Sequence, residues 1–292
     1  MAPFNPPPGF DVFTDSNYHY IPTAGVCIAF IVLYSIATFA HFVEAVYFKL
    51  WWLLPTAVLA GLGEILGWSG RYWSSFNGGV LSTPFMIQIS TTIISPTPFL
   101  AAYFIILGRL IRILGTQYSR LSPRQYTIVF CTADVVALVV QALGGGLASG
   151  ATDPTPGGNI MLAGIAIQLF FLTVFMALAI EYFYRLLNDL PVRREETPAN
   201  KVSDGSESSL SLEKGRALLT GKTRVFVIGA FVSCFFLFVR AIYRLIELSD
   251  GWNGTVIATQ WYFDVFDGAM VVSAMLILNV LHPGYMIFSR SS

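Results

Sequence analysis

Charge is what this sequence has least of. Lys, Arg, Asp and Glu make up 12% of its 292 residues, about half the roughly 25% of an ordinary soluble domain. The 17 basic and 17 acidic side chains cancel. No stripe interleaves basic with aromatic residues, which argues against a nucleic-acid partner. Cysteine is nearly absent, and Cys27, Cys131 and Cys234 all fall inside apolar runs. They are expected as small core residues, with neither a disulfide framework nor a metal site. Only His19, His41 and His282 are available, whereas a catalytic zinc needs three protein ligands beside an open position. His19 is moreover expected on the opposite side of the membrane from the other two. Gly144-Gly145-Gly146 is followed by no Gly-Lys-Ser/Thr, so a phosphate loop and direct ATP hydrolysis are not expected. The first 20 residues hold Pro3, Pro6, Pro7 and Pro8, Asp11 and Asp15, and no Lys or Arg. A cleavable signal would begin with a basic segment.

Hydrocarbon is what the chain has in excess: 55% of residues are hydrophobic and the mean hydropathy is +0.65. Seven apolar runs, at 21–43, 51–70, 83–108, 125–147, 159–184, 223–247 and 259–281, are each long enough to cross about 30 Å of hydrocarbon. The expected fold is an all-α, polytopic membrane protein, a bundle of seven transmembrane helices. Lys49, Arg109, Arg112, Arg120, Arg124, Arg185, Arg193, Arg194, Lys201, Lys214, Arg216 and Lys222 gather on one side, with Arg290 in the tail. The other side has Arg71 alone outside helix 6. The positive-inside rule then gives an outside N-terminus and a cytoplasmic C-terminus. The expected organisation is an extracellular segment 1–20, a membrane domain 21–284 and a cytoplasmic tail 285–292. Residues 185–222, rich in Glu and Ser, read as a disordered cytoplasmic loop. Asn253-Gly254-Thr255 is a glycosylation sequon close to the membrane.

Ionisable residues inside spans are costly and mark function by default. Arg240, Arg244 and Glu247 are spaced i, i+4, i+7, so they share one helical face with Tyr243 beside them. The last span answers with Asp264 and Asp267, and the second carries Glu64 and Arg71. Depth puts them at one level. Arg240 lies 16 residues beyond Arg224, roughly 24 Å along a helix. Asp267 lies 15 before His282, and Glu64 15 beyond Lys49, about 22 Å each. Both arginines are therefore expected to meet Asp264 and Asp267, near Glu64 and Arg71, in the outer half of the bundle. The plainer reading is that the arginines snorkel to headgroups. Asp134 and Gln141 on the fourth span, seven apart, are expected to point together into the bundle with Gln168 of the fifth. Pro96 and Pro98 should kink the third span, with Ser and Thr neighbours covering the freed carbonyls. Glu181 and Arg185 form an ordinary i, i+4 pair.

The motifs in this order resemble the fungal lipid-translocating exporter family, which includes sphingoid long-chain-base resistance, aminocholesterol-resistance and protoporphyrin-uptake proteins. The resemblance runs from Tyr20-Ile21-Pro22 through Glu64-Ile65-Leu66-Gly67-Trp68-Ser69-Gly70-Arg71, Pro96 to Arg109 and Asp134 to Gly146. It continues through Gly164 to Gln168, Arg240 to Glu247, and Phe266-Asp267 with His282-Pro283-Gly284. Gln260, Asp264 and Trp68 depart from the family's pattern and alter the outer pocket. The resemblance implies a multi-pass protein, expected in the plasma membrane, that moves or confers resistance to amphipathic lipids and lipophilic drugs. Its partners would be membrane lipids and an amphipathic small molecule, by facilitated flip or with proton coupling through Asp134, Asp264 or Asp267. Two other functions stay open: a seven-helix receptor-like lipid sensor or regulator of lipid asymmetry, and an intramembrane lipid hydrolase. No cofactor is expected. The protoporphyrin-uptake members raise a haem or porphyrin contact at His41 or His282, where a capping or interfacial role is the plainer reading.

Overall fold

The computed structural model describes residues 4–150, 153–192, 219 and 221–287. The serines and basic residues of the hydrophilic connection from 193 to 218, and Arg290, lie outside the described residues. Seven helices are long and apolar enough to cross a membrane: α1 Ala24–Tyr47, α2 Trp51–Ser74, α3 Ser82–Leu114, α4 Pro123–Gly150, α5 Thr155–Asn188, α6 Lys222–Asp250 and α7 Gln260–Met286. No strand occurs among the described residues. This is a multi-pass integral membrane protein. Most helices overrun their apolar stretches by a turn, since polar residues at the ends keep their i→i−4 bonds outside hydrocarbon. α5 thus reaches Asn188, so the first residues of the expected loop are helical.

Neighbours in sequence pack as neighbours in space, and α7 returns to α1 and α6 to close the bundle. α3 sits at the centre: its most apolar window is 67% buried, against 28–50% for the other spans. Glycine sets two of the closest approaches, as small residues do between helices in lipid. A Cβ on Gly67 of α2 would stand 2.6 Å from the Thr91 hydroxyl of α3. One on Gly157 of α5 would stand 2.4 Å from the Ala148 backbone nitrogen of α4. Cys27 and Cys234 are buried and Cys131 half-buried, all three unbridged.

Three spans are irregular. α2 opens with a tight turn, Trp51–Leu53, and wide π-type turns over Leu54–Val58 that contain Pro55. α3 is divided by Pro96 into Ser82–Ile94 and Pro96–Leu114. α7 widens into π-type turns over Asp264–Ala269 between Gln260–Phe263 and Met270–Val280. Such turns are rare and concentrate at functional sites. Here they carry both acidic residues of the span.

Candidate functional site

Asp267 is the centre of the buried polar region. Its carboxylate is completely buried and receives Arg244 in bidentate fashion, Nε to Oδ1 and Nη2 to Oδ2, each at 2.9 Å. Arg240 Nε lies 2.8 Å from the same Oδ1. Arg244 Nη1 donates to Glu247 at 2.8 Å, and the Tyr243 hydroxyl donates to the other Glu247 oxygen at 2.8 Å. Two cations thus face two anions, which a low-dielectric interior requires of buried charge.

The same arginines grip the break in α3. Proline has no N–H, so Pro96 leaves the carbonyl four residues back, that of Thr92, without its helical donor. Arg240 Nη2 supplies one at 2.5 Å, while Arg244 Nη2 donates to the Thr92 hydroxyl at 2.9 Å. The hydroxyls expected to cover the freed group are engaged elsewhere. Ser95 bonds to Thr91 O and Thr92 to Gln88 O. Their own i−4 carbonyls are nearer than the one proline exposes, so the donor comes from another helix.

The two acids of α7 do not share partners. The expected meeting of both arginines with both acids is corrected: Asp264 takes Gln260 Nε2 at 3.1 Å and Arg71 at 3.8 Å. Wide π-type turns rotate residues three apart further from one face than α-helical turns do. Arg71 is sealed in an aromatic cage, 4.4 Å from the Phe263 ring centre, 5.2 Å from Tyr18 and 5.3 Å from Tyr20. Its Nη2 donates to the Tyr20 hydroxyl at 2.5 Å. Burial pushes the Tyr18 phenol up to about 12, against the lowering effect of Arg71. Trp68, one of the sequence departures, stacks on Phe30 at 4.1 Å. Glu64 is fully buried, with neither carboxyl oxygen hydrogen-bonded among the described residues.

Gln141 and Gln168 form a second polar line. Gln141 Nε2 donates to Gln168 Oε1 at 3.2 Å, and Gln168 Nε2 donates to the Thr97 hydroxyl at 3.1 Å. Both glutamines line a small cavity that Arg240 and Arg244 also line. Asp134 is buried but joins neither this line nor the arginines, and its Oδ2 has no hydrogen-bond partner among the described residues. His41 and His282 lie on the far side of the bundle, 3.8 and 3.9 Å from the shared Glu44. His282 accepts from Gly284 N and stacks on Phe48, the capping geometry expected of it. Glu181 pairs with Arg185 and also with Arg120, each at 2.7 Å. A larger cavity of about 580 Å³ lies on the amino-terminal side, bounded by residues 14–19, α3, α4, α5 and the connection after α6.

A family model described as RTA1 like protein matches residues 57–290. The chain belongs to the RTA1-like family. Among its relatives, the Saccharomyces cerevisiae sphingoid long-chain base transporter RSB1 is 30% identical over 98% of this chain and 78% of its own length. Protein RTA1 of the same yeast is 28% identical over 77% of this chain and 64% of its own, and Protein RTM1 27% over 74% and 63%. No solved structure matches the chain significantly.

Sequence reasoning about this RTA1-like chain missed three groups. Thr92 looked like an ordinary span residue, although its place four before Pro96 was a usable signal. The aromatics Tyr18, Tyr20 and Phe263 around Arg71 had no periodicity to announce them. Asp15, His19, Trp252 and Asn253 meet at the larger cavity from opposite ends of the chain, which no local pattern shows.

Proposed function

We propose that this protein is a translocase that carries amphipathic, sphingoid-base-like lipids across the plasma membrane and so confers resistance to them. One observation carries the reading: the central, broken helix α3 is held by two buried arginines from α6, Arg240 on the Thr92 carbonyl that its own proline leaves free and Arg244 on the Thr92 hydroxyl. In this reading a span interrupted at depth, with balanced charges docked on the interruption, is the element that moves during translocation. The transporter name of the RSB1 relative supports the same direction. In this reading the Lys/Arg asymmetry places the N-terminus outside and residues 185–222 in the cytoplasm. The ionic seam of Arg240, Arg244, Glu247 and Asp267, with Tyr243, latches α3, while Glu64, Arg71 and Asp264 flank it. Gln141 and Gln168 provide polar steps beside a moving headgroup, and Asp134 lies along α4 on the same route. Reconstituted protein should speed movement of a labelled sphingoid base between leaflets. Arg240→Gln, in which Asp267 keeps its bidentate partner Arg244, should abolish that movement while the protein still elutes as a folded monodisperse species. Wild-type vesicles that move no sphingoid base, phospholipid or porphyrin faster than empty ones would refute the translocase.

A further inference from the structure

The larger cavity has a chemical polarity along its length. Its apolar walls are Phe85, Ile89 and Ile93 of α3, facing Ala142 and Gly146 of α4, with Met161 of α5. The volume of about 580 Å³ falls within the roughly 300–1,000 Å³ of small-molecule pockets. At the amino-terminal mouth stand Asp15, Asn17 and Asn253. Asp153, adjoining Pro154 of the lining, is held below the usual carboxylate range by its hydrogen bonds from Thr155. Among the described residues no Lys or Arg lines this cavity. His19 lines it too, but both of its nitrogens are taken, Nδ1 by Phe13 O at 2.6 Å and Nε2 by Trp252 O at 2.9 Å. The inner end is different. Ile93 and Gln141 are shared with the small cavity beyond, which Arg240 and Arg244 line. The arginines of that inner end are already paired with Asp267 and Glu247, so the acidic mouth alone orients a cationic amphiphile, head-outward and with its chain lying along the apolar walls.

The glycines of α4 divide by role. Gly144 is structural: a Cβ there would stand 2.5 Å from the Met161 backbone nitrogen. Gly145 and Gly146 are less crowded. Among the described residues a Cβ on Gly145 would meet Met161 at 3.6 Å and one on Gly146 would meet no atom within 4 Å. What these two positions preserve is volume, since both line the cavity.

We propose that this cavity binds a single-chain amphiphile with a cationic amine head, the head at Asp15 and Asn253 and the chain running along Phe85, Ile89 and Ile93 towards Gln141. The site deepens the translocase reading and rests on it for the ligand's passage, but binding itself can be measured without transport. The full chain in lipid nanodiscs is titrated with a radiolabelled C18 alkylamine and with the alkyl sulfate of the same chain length. The amine should bind at least about tenfold more tightly than the sulfate. Gly146→Phe, which fills the cavity where the backbone has room, should weaken amine binding by about tenfold or more, and Asp15→Asn by a few-fold. Gly146→Ala is the folding control and should bind as wild type. In parallel, an alkylamine with a photoreactive chain end should label peptides from residues 85–93 or 141–146. Equal binding of amine and sulfate, unchanged binding in Gly146→Phe, or labelling confined to α1 and α7 would each overturn the site. Amine binding that Gly146→Phe removes, in a protein that moves no lipid, would support the site and refute the translocase.

Discussion

Replacing Pro96 should change what Arg240 is worth. In the native structure Arg240 has two tasks, an ion pair with Asp267 and a hydrogen bond to the Thr92 carbonyl that Pro96 leaves free. Arg240→Gln removes the first and impairs the second. Asp267 keeps its bidentate partner Arg244, so the loss should lie at or below the ~3–5 kcal/mol of a fully broken buried pair. About 1–3 kcal/mol of it is the cost of a buried carbonyl left without a donor. Pro96→Ala restores a backbone N–H at position 96, four residues beyond Thr92, where a helical bond to the same carbonyl is available. In that background the carbonyl no longer depends on Arg240. The two substitutions should therefore be non-additive, with a coupling of roughly 1–3 kcal/mol that makes Arg240→Gln milder. The assay is reversible unfolding of wild type, both single variants and the double variant in one mixed-micelle system. Additivity within about 0.5 kcal/mol would refute the role given to the Thr92 carbonyl.

Asp267→Asn should destabilise the protein far more than Asp264→Asn, because Asp267 is wholly buried among two arginines and Asp264 meets Arg71 only at 3.8 Å; thermal melts of the two variants compare them directly. Gly144→Leu should impair folding by forcing α4 from α5, where the added Cβ would meet Met161 backbone at 2.5 Å, and size-exclusion yield reads the effect. Tyr18, raised to about 12 from the ordinary 10.0, contributes stability that is complete below pH 10 and is lost as pH rises through about 12. Tyr18→Phe should flatten that part of the pH–stability curve. A protease tag inserted at Ser206 should stay uncut in intact cells, and cleavage there would reverse the proposed orientation.

The spans were legible because hydrocarbon leaves little choice: runs of about 20 apolar residues have few other uses. The level of Arg240 and Asp267 was legible for a related reason, since counting residues from a helix end gives depth directly. Azimuth was harder. It assumes α-helical turns throughout, and the π-type turns at Asp264–Ala269 send Asp264 to Arg71 and Asp267 to the arginines of α6. Along α4, an unbroken α-helix, Asp134 and Gln141 are both buried as that assumption expects; only Gln141 reaches Gln168, since seven residues of rise, about 10 Å, separate the two. The cavity was out of reach because its mouth joins Asp15 to Asn253, and such proximity is a property of closure rather than of any segment.

The seam also bears on how the chain enters the bilayer. Before folding, α6 meets the insertion machinery as a separate segment carrying Arg240 and Arg244, and each arginine near a helix centre costs roughly 2.5–3.5 kcal/mol on the insertion scale. Glu247 of the same helix answers Arg244, but Asp267, the counter-charge of Arg240, belongs to α7, which is synthesised later. A nascent chain ending at Gly254 should therefore retain α6 poorly, whereas one extended past Leu281 should integrate both helices as a hairpin. That outcome would make ion pairing the force that orders biogenesis of this bundle, with α6 a conditional span until α7 arrives.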